Sequence, residues 1–418
     1  MLARIREHLS RARPLRKSGT APGPPPYSAS LPMLSKKMPP DRFERMKIVA
    51  VEPFILHVPV TGQEIADSMH RLTHWGVPGV ILVTDTGLRG YGYSGTHAHL
   101  PTDRLITGFI EHTAAPLLLG EDPAEIDRLW QKIYRFPPAQ WVGRSGITHL
   151  GLGAVDVALW DLKAKAAGVP LWKLLNAGAP APALEAYNTD GGWLNLSRER
   201  IVANAKRFTQ EEGFRGVKLK IGKPDPAEDL ERVAAVRRAI GPDVKLMVDA
   251  NGKWTLETAL AWSPRLRELD VYWIEEPLWY DDIPAHAELA ARSEVPVALG
   301  EQLYSYYNFR DFIAAGAVRF VQPDVTRLAG VTEWRQVADL AAQHGLPVAA
   351  HVGDMMQVHL HTSLAHPACA ILEYIPWIRS CFTEPATVRA GTFVPPREPG
   401  AGTTLVPDAL ERYAQPLR

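Results

Sequence analysis

A parallel α/β barrel is the fold class this chain predicts, and three observations point to it. Acidic residues close three successive apolar runs: Asp249 in VKLMVD, Glu275 in VYWIEEP and Glu301 in PVALGE. Both gaps are 26 residues, about the length of one strand-loop-helix-loop unit of such a barrel. The series continues through VRFVQPD, ending at Asp324, and LPVAAH, ending at His351, a gap of 27 residues. Length agrees. At 418 residues and 46% hydrophobic the chain can bury a large core, and a barrel of about 250 residues leaves well over a hundred for a second domain.

The first 45 residues stand apart. They carry Arg4, Arg6, Arg11, Arg13, Arg16 and Lys17 with few acids, then GTAPGPPPYSAS and Lys36-Lys37. Such a leader lacks the apolar core of a secretory signal, and its composition reads as disordered or as an upstream extension of the translated frame. Met46 opens the first globular-looking strand, MKIVAVEPFILHVPV. Residues 46 to 179 read as an α+β domain. Strands at 47 to 58 and 79 to 84, a turn at Asp85-Thr86-Gly87 and then LRGYGYS predict a short antiparallel meander. In ITHLGLGAVDVALWDLKAKAAG apolar residues recur at helical spacing, and Gly168 stops the helix. The barrel spans 180 to 375, beginning with LEAYN and ending near Tyr374. The tail, 376 to 418, with its FVPPREPGAGT, returns to the first domain.

A barrel brings the C-terminal ends of its strands side by side, so Asp249, Glu275 and Glu301 should converge. Unpaired they would repel one another, and a bound cation is the simplest remedy. Oxygen donors alone favour Mg²⁺ over zinc, which usually brings His or Cys ligands. Each acid taken singly could cap a helix or pair with Arg; the shared interval favours the metal. Strand parity turns the neighbouring Glu276 away.

In FRGVKLKIG the period-2 alternation of a strand sends Lys218 and Lys220 to one face, toward the carboxylates, with Val217, Leu219 and Ile221 packing on the helix layer. Mutual repulsion and partial burial are expected to lower at least one amine's pKa, as a general base near neutrality requires. Asp324 beside His351 would fix the ring's tautomer and raise its basicity.

The order Lys218-x-Lys220, Asp249-x-Asn251, Glu275, Glu301, Asp324, His351, Glu373 resembles the mandelate racemase subgroup of the enolase superfamily, over most of the chain from about Met46 onward. That resemblance implies a modified (β/α)7β TIM-type barrel with an α+β capping domain, Mg²⁺ as cofactor, and abstraction of the proton α to a carboxylate. Pairing a Lys or His base with Mg²⁺ is a general property of that superfamily. It further implies that Lys220 and His351 flank the α-carbon from opposite faces. Lys218 and Asn251 would hold the substrate carboxylate, and Glu373, if protonated, would donate to the developing oxyanion.

Two cap loops, TGQEIADSMHRLTHWG at 61 to 76 and GYSGTHAHLP at 92 to 101, correspond to those that close over the site in the resembled family. Their His70, His74, His97, His99, Asp67 and Ser68 suit a polyhydroxylated chain better than an aromatic ring, and YNTDGGW adds Asn188, Thr189 and Asp190. The expected activity is therefore dehydration of an acid sugar, of the galactarate or talarate type, to a 2-keto-3-deoxy acid. Racemisation or epimerisation of a 2-hydroxy acid is the alternative, since both fates share one enediolate.

Other classes fare worse. A zinc site at His97 and His99 would have only two ligands, and His359 and His361, in a predicted helix, point apart and read as structural. A metallohydrolase barrel would want His-x-His on its first strand, which LEAYNTD lacks, and HVGDMM is a poor phosphate loop. A catalytically inactive acid-binding barrel would be expected to have lost a proton-transfer group, and none is missing. Basic and acidic residues balance at 46 each, which gives no footprint for nucleic acid. Cys369 and Cys381 alone are too few for a disulfide framework, so a cytoplasmic setting is expected. No apolar stretch approaches the roughly 20 residues of a membrane span. A homo-oligomer is expected.

Overall fold

A computed structural model describes residues 46–60, 62, 64–97, 99–352 and 356–417. The expectations for residues 1–45 lie outside the described residues. The capping domain opens with β1 (Ile48–Pro59), the short hairpin strands β2 (Ile65–Ala66) and β3 (Arg71–Leu72), then β4 (His74–Thr84) and β5 (Arg89–Tyr93). β4 starts five residues earlier than its sequence pattern predicts, because His74 to Pro78 pair antiparallel with Ile55 to Pro59 of β1. The loop expected at 61 to 76 is therefore largely a hairpin, with Ile65 opposite Leu72.

The helices that follow include α1 (Asp103–Phe109), α2 (Ile126–Tyr134) and α3 (Ile147–Ala166). α3 is buried on nearly every side, consistent with its apolar residues encircling it. It lies against β5 at backbone distance, and the glycines of LRGYGYS make that approach feasible: a Cβ on Gly92 would sit 1.9 Å from the Ala154 carbonyl oxygen. Gly168 closes the segment at φ +68°.

The barrel strands are β6 (Glu185–Asn188), β7 (Gly216–Lys220), β8 (Lys245–Asp249), β9 (Val271–Glu275), β10 (Val297–Leu299), β11 (Phe320–Val321) and β12 (Ile371–Tyr374). β6 through β11 pair in parallel in chain order, and β12 pairs with β6 to close the ring. Between β11 and β12 the seventh position is held by Val348, which bridges Val321 and Cys369 in parallel. Helices α4 (Arg198–Lys206), α5 (Pro226–Ile240), α6 (Leu256–Glu268), α7 (Ile283–Arg292), α8 (Tyr306–Ala314), α9 (Gly330–Gln343) and α10 (Met356–Ala365) form the outer layer. Each of α4 to α8 starts at a Ser, Asp or Thr whose side chain accepts a free backbone N–H: Ser197, Asp225, Thr255, Asp282 and Ser305.

Inside the ring Tyr187, Met247, Trp273, Ala298, Ala349 and Ile371 pack together. This floor positions the site. With a period of two, the residue two places after Met247, Trp273, Ala349 and Ile371 points the same way, one layer nearer the mouth. Those residues are Asp249, Glu275, His351 and Glu373.

The tail does not go straight back to the cap. Its hairpin of β13 (Val388–Arg389) and β14 (Thr392–Phe393) first pairs with Glu185 of β6; Gly400 then bridges Pro170, and Ala414 bridges Leu56 of β1. α3 and α9 join cap to barrel, with Asp156 accepting from the backbone N–H and hydroxyl of Thr332 at 2.9 and 2.6 Å. Among the described residues no helix is long and apolar enough to cross a membrane.

Candidate active site

The barrel mouth brings one oxygen each from Asp249, Glu275 and Glu301 within 4.8 Å of one another, all three side chains buried. Two adjacent backbone positions bend sharply at these strand ends, Asn251 at φ 47° and Glu276 at φ 40°. Such conformations are costly for residues other than glycine, and here they turn the chain outward immediately beyond the ligand layer. Glu276 does not join the triad. It lines a separate small cavity with Tyr280, His286, Leu299 and Leu303.

Three buried carboxylates of hard oxygen, gathered within reach of one point, suit Mg²⁺. Burial pushes the Glu275 carboxyl up to about 7, with the Lys218 charge working against that and Asp249 adding to it. Crowding of like charge at this point is what a divalent cation relieves.

Both lysines reach the triad. Lys218, 1% exposed, contacts Glu275, lies 2.9 Å from Glu373 and 3.8 Å from Asp249. The Lys220 ammonium is 2.5 Å from Asp249 Oδ2. Here the expectation of a lowered amine fails. Burial is the largest single influence and does lower both, but Glu275 and Glu373 around Lys218, and Asp249 beside Lys220, raise them above the ordinary lysine value. Each amine is nearer a carboxylate than the repulsion argument assumed, and those carboxylates are the ones a cation would engage.

His351 Nε2 lies 3.1 Å from Glu301 Oε2, and its Nδ1 is 2.7 Å from Asp324 Oδ2. Burial works against charging the ring, yet Glu301 and the bonded Asp324 lift it to about 9. Asp324 is itself held well below the usual carboxylate range: burial opposes this, but His359 and His351 outweigh it. Glu373 does not meet its expected condition. Burial raises it, but Lys218, His351 and a 2.6 Å hydrogen bond from the Thr189 hydroxyl bring it down to about 2, so it is an anion that accepts.

One cavity joins these groups, lined by Lys220, Asn251, Glu301, His351, Glu373 and Thr189 from the barrel. Asp67, His70, Leu72, Trp75 and His97 of the cap complete it, with Trp193 and Ile375. The β2–β3 hairpin is held down by Ser68 Oγ donating to the Ala250 carbonyl at 2.7 Å, and by Leu194 N–H donating to Ala66 O. His70 Nδ1 lies 3.0 Å from Asp67 Oδ2, and this bond, against burial, raises the His70 pKa. His97 packs edge-on against Trp75 with centroids 5.1 Å apart, and its buried Nδ1 has no hydrogen-bond partner.

Two expected contacts do not reach the cavity. His99 is exposed and bonds Thr102 Oγ1 through Nδ1 at 2.8 Å, because the chain there is already turning into α1. Asn188, though buried, accepts the Asp190 N–H at 2.9 Å and spends its side chain on the turn after β6. Sequence reasoning passed over Trp75, Trp193, Leu72 and Ile375. The indole N–H of Trp75 is buried without a partner and supplies a donor that a search for polar side chains overlooks, while the Trp193 indole lies beside Asp190.

The sequence model described as mandelate racemase/muconate lactonizing enzyme, N-terminal domain, matches residues 50–176, and the one described as enolase C-terminal domain-like matches 200–409. An L-talarate/galactarate dehydratase of Salmonella typhimurium is 41% identical over 298 residues, covering 71% of this chain and 73% of that protein. A crystal structure of that species' dehydratase, liganded with Mg and L-lyxarohydroxamate, superposes with a TM-score of 0.83 at 35% identity, covering 93% of this chain and 98% of the other. A D-galactarolactone cycloisomerase of Agrobacterium fabrum is 32% identical over 316 residues, 72% of this chain and 82% of its own.

Proposed function

This chain belongs to the mandelate racemase/muconate lactonizing enzyme family of the enolase superfamily, and on that premise we propose that it is a Mg²⁺-dependent acid-sugar dehydratase. The observation that carries this reading is a single cavity lined by both Lys220, 2.5 Å from Asp249, and His351, 3.1 Å from Glu301, together with Asp67, His70 and His97 of the cap. The substrate class is a six-carbon diacid of the galactarate or talarate type. Residues 46–179 with 376–418 form the cap and 180–375 the catalytic barrel.

Held by Asp249, Glu275 and Glu301, Mg²⁺ supplies the positive charge that offsets the second negative charge building on the substrate carboxylate, worth roughly several kcal/mol. Lys218 and the Asn251 amide N–H fix that carboxylate, and Asn251 Oδ1, buried and unpartnered, is free to accept from a substrate hydroxyl. Lys220, once released from Asp249 and deprotonated, takes the α-proton. His351, in its protonated form, gives its Nε2 proton to the departing β-hydroxyl, and Asp324 keeps Nδ1–H in place throughout. Positioned acid or base groups of this kind commonly contribute about 10²- to 10⁴-fold each. His70, His97, Thr189 and the indole of Trp75 bind the remaining hydroxyls.

The enzyme works in a reducing cytoplasm, in keeping with two free, buried cysteines, and as a homo-oligomer whose size light scattering would measure. The functional test is a screen of mono- and diacid sugars with Mg²⁺, scored for 2-keto acid and, in heavy water, for α-proton exchange. A keto acid from one or a few acid sugars is expected. Exchange or epimer without keto acid from any of them would promote the epimerase alternative.

A further inference from the structure

Asp324 is shared between two histidines, and only one of them faces the cavity. His351 takes Oδ2, while Oδ1 receives the backbone N–H and hydroxyl of Thr326, each at 2.7 Å, and His359 Nε2, also at 2.7 Å. His359 is fully buried on α10. Its Nε2 also lies 3.1 Å from the Val325 N–H, but a 2.7 Å approach to a carboxylate oxygen needs a proton between the atoms, so Nε2–H donates to Asp324.

The helix that carries His359 is itself fixed from the other side. Gln357 donates to the carbonyls of Glu384 and Gly402 at 2.7 and 2.8 Å and accepts from Ala386 N–H, and His361 Nδ1 accepts the Trp172 N–H at 3.1 Å. Positions 357 and 361 share a helix face, and 359 lies opposite. α10 therefore clamps the tail and cap with one face and holds the dyad with the other.

We propose that His359 is a positioning residue of the dehydration: by donating to Oδ1 it locks the orientation of the Asp324 carboxylate, and so the tautomer and aim of the His351 ring. Rotation of Asp324 about its χ2 bond, which would exchange the oxygen offered to His351, is opposed by His359 together with the two Thr326 bonds to Oδ1. The inference rests on the reading of His351 as the acid that expels water.

The test compares His359→Leu, which removes the donor, with His359→Gln, which keeps an N–H of similar reach, and takes His351→Asn as reference, all as the full chain with saturating Mg²⁺. His359→Leu should slow keto-acid formation about 10- to 100-fold, the usual cost of losing an outer partner, and change α-proton exchange far less. His359→Gln should restore most of the loss. His359→Leu should thus reproduce the His351→Asn pattern in milder form; wild-type dehydration, or an equal fall in both rates that His351→Asn does not share, overturns the inference. A second readout needs no substrate. In ¹⁵N-histidine spectra the downfield Nδ1 proton of His351 should persist in His359→Gln and broaden or move in His359→Leu, and its survival unchanged in His359→Leu would also overturn the inference. Failure of the dehydratase reading itself would appear separately, as no keto acid from the wild-type enzyme.

Discussion

At the scale of single residues the site is a set of charges that cannot be separated from one another. Glu301 touches both halves, as a triad member and as the partner of His351 Nε2. Glu301→Gln is expected to abolish turnover while leaving the fold intact, since removing one like charge from a buried cluster relieves repulsion in the metal-free protein. Calorimetric Mg²⁺ titration and a thermal melt would check both halves of that statement, and full activity in excess chelator would refute the metal assignment. His351→Asn is expected to stop dehydration but to retain α-proton exchange, because the proposed base, Lys220, lines the same cavity and is held by Asp249 independently of His351. A wild-type dehydration rate in this variant would leave His351 without an essential role. These positions were legible: Asp249, Glu275, His351 and Glu373 each sit two residues above an apolar floor residue of the same strand position, a period any strand imposes, whereas Glu301 and Lys220 were read from their places at strand ends. Their protonation was not. Whether Lys220 meets another amine or Asp249 first depends on distances between neighbouring strands, and at 2.5 Å the carboxylate wins.

At the scale of elements, the interval of 26 residues announces the barrel because one strand, one helix and two short loops fill it with little slack. Helix starts obey a local rule that the sequence reading did not use: Ser197, Asp225, Thr255, Asp282 and Ser305 each stand where an N-cap is needed. Contacts between distant elements were not legible. His359 reads as a structural residue beside His361 until α10 is laid against the segment that follows β11, and Asn188 reads as a ligand until the turn after β6 claims it. The glycines of β5 mark another such contact. Because a methyl on Gly92 would meet Ala154 O at 1.9 Å and Ala158 N at 2.6 Å, both backbone atoms of α3, Gly92→Ala must push strand and helix apart. Overpacking of that kind costs about 1 to 3 kcal/mol, and a rigid backbone neighbour argues for the upper end. Chemical denaturation would measure it; an unchanged midpoint would mean that β5 can shift without cost.

At the scale of the whole molecule, the cap and barrel meet along α3 and α9 through two carboxyl groups that water does not reach. Asp156 is pushed up to about 7 by burial, with its hydrogen bonds from Thr332 only partly opposing the shift. Glu333 is likewise pushed up to about 7 by burial, although it accepts from Tyr306 and Ala329 N–H. Both pKa values are raised above their unfolded values, so between roughly pH 4 and 7 the folded protein binds more protons than the unfolded chain. The stability these groups contribute is therefore fully present below about pH 4 and is lost as pH rises through about 7. His149, beside Glu333 at 3.8 Å, runs the other way: burial lowers it to about 4, so its effect is confined to pH values below its unfolded pKa of about 6.5. Above that, from roughly pH 6.5 to 8, the carboxyls dominate this seam. Asp156→Asn keeps an acceptor for Thr332 but cannot ionise, so its loss of stability across that window should be smaller than that of the wild type, by about 1 kcal/mol at most. Melting midpoints of the two proteins at closely spaced pH values, with Mg²⁺ present throughout, measure the difference directly. Parallel curves would show that Asp156 stays ionised, or stays neutral, across the whole range and that the seam does not sense pH through it.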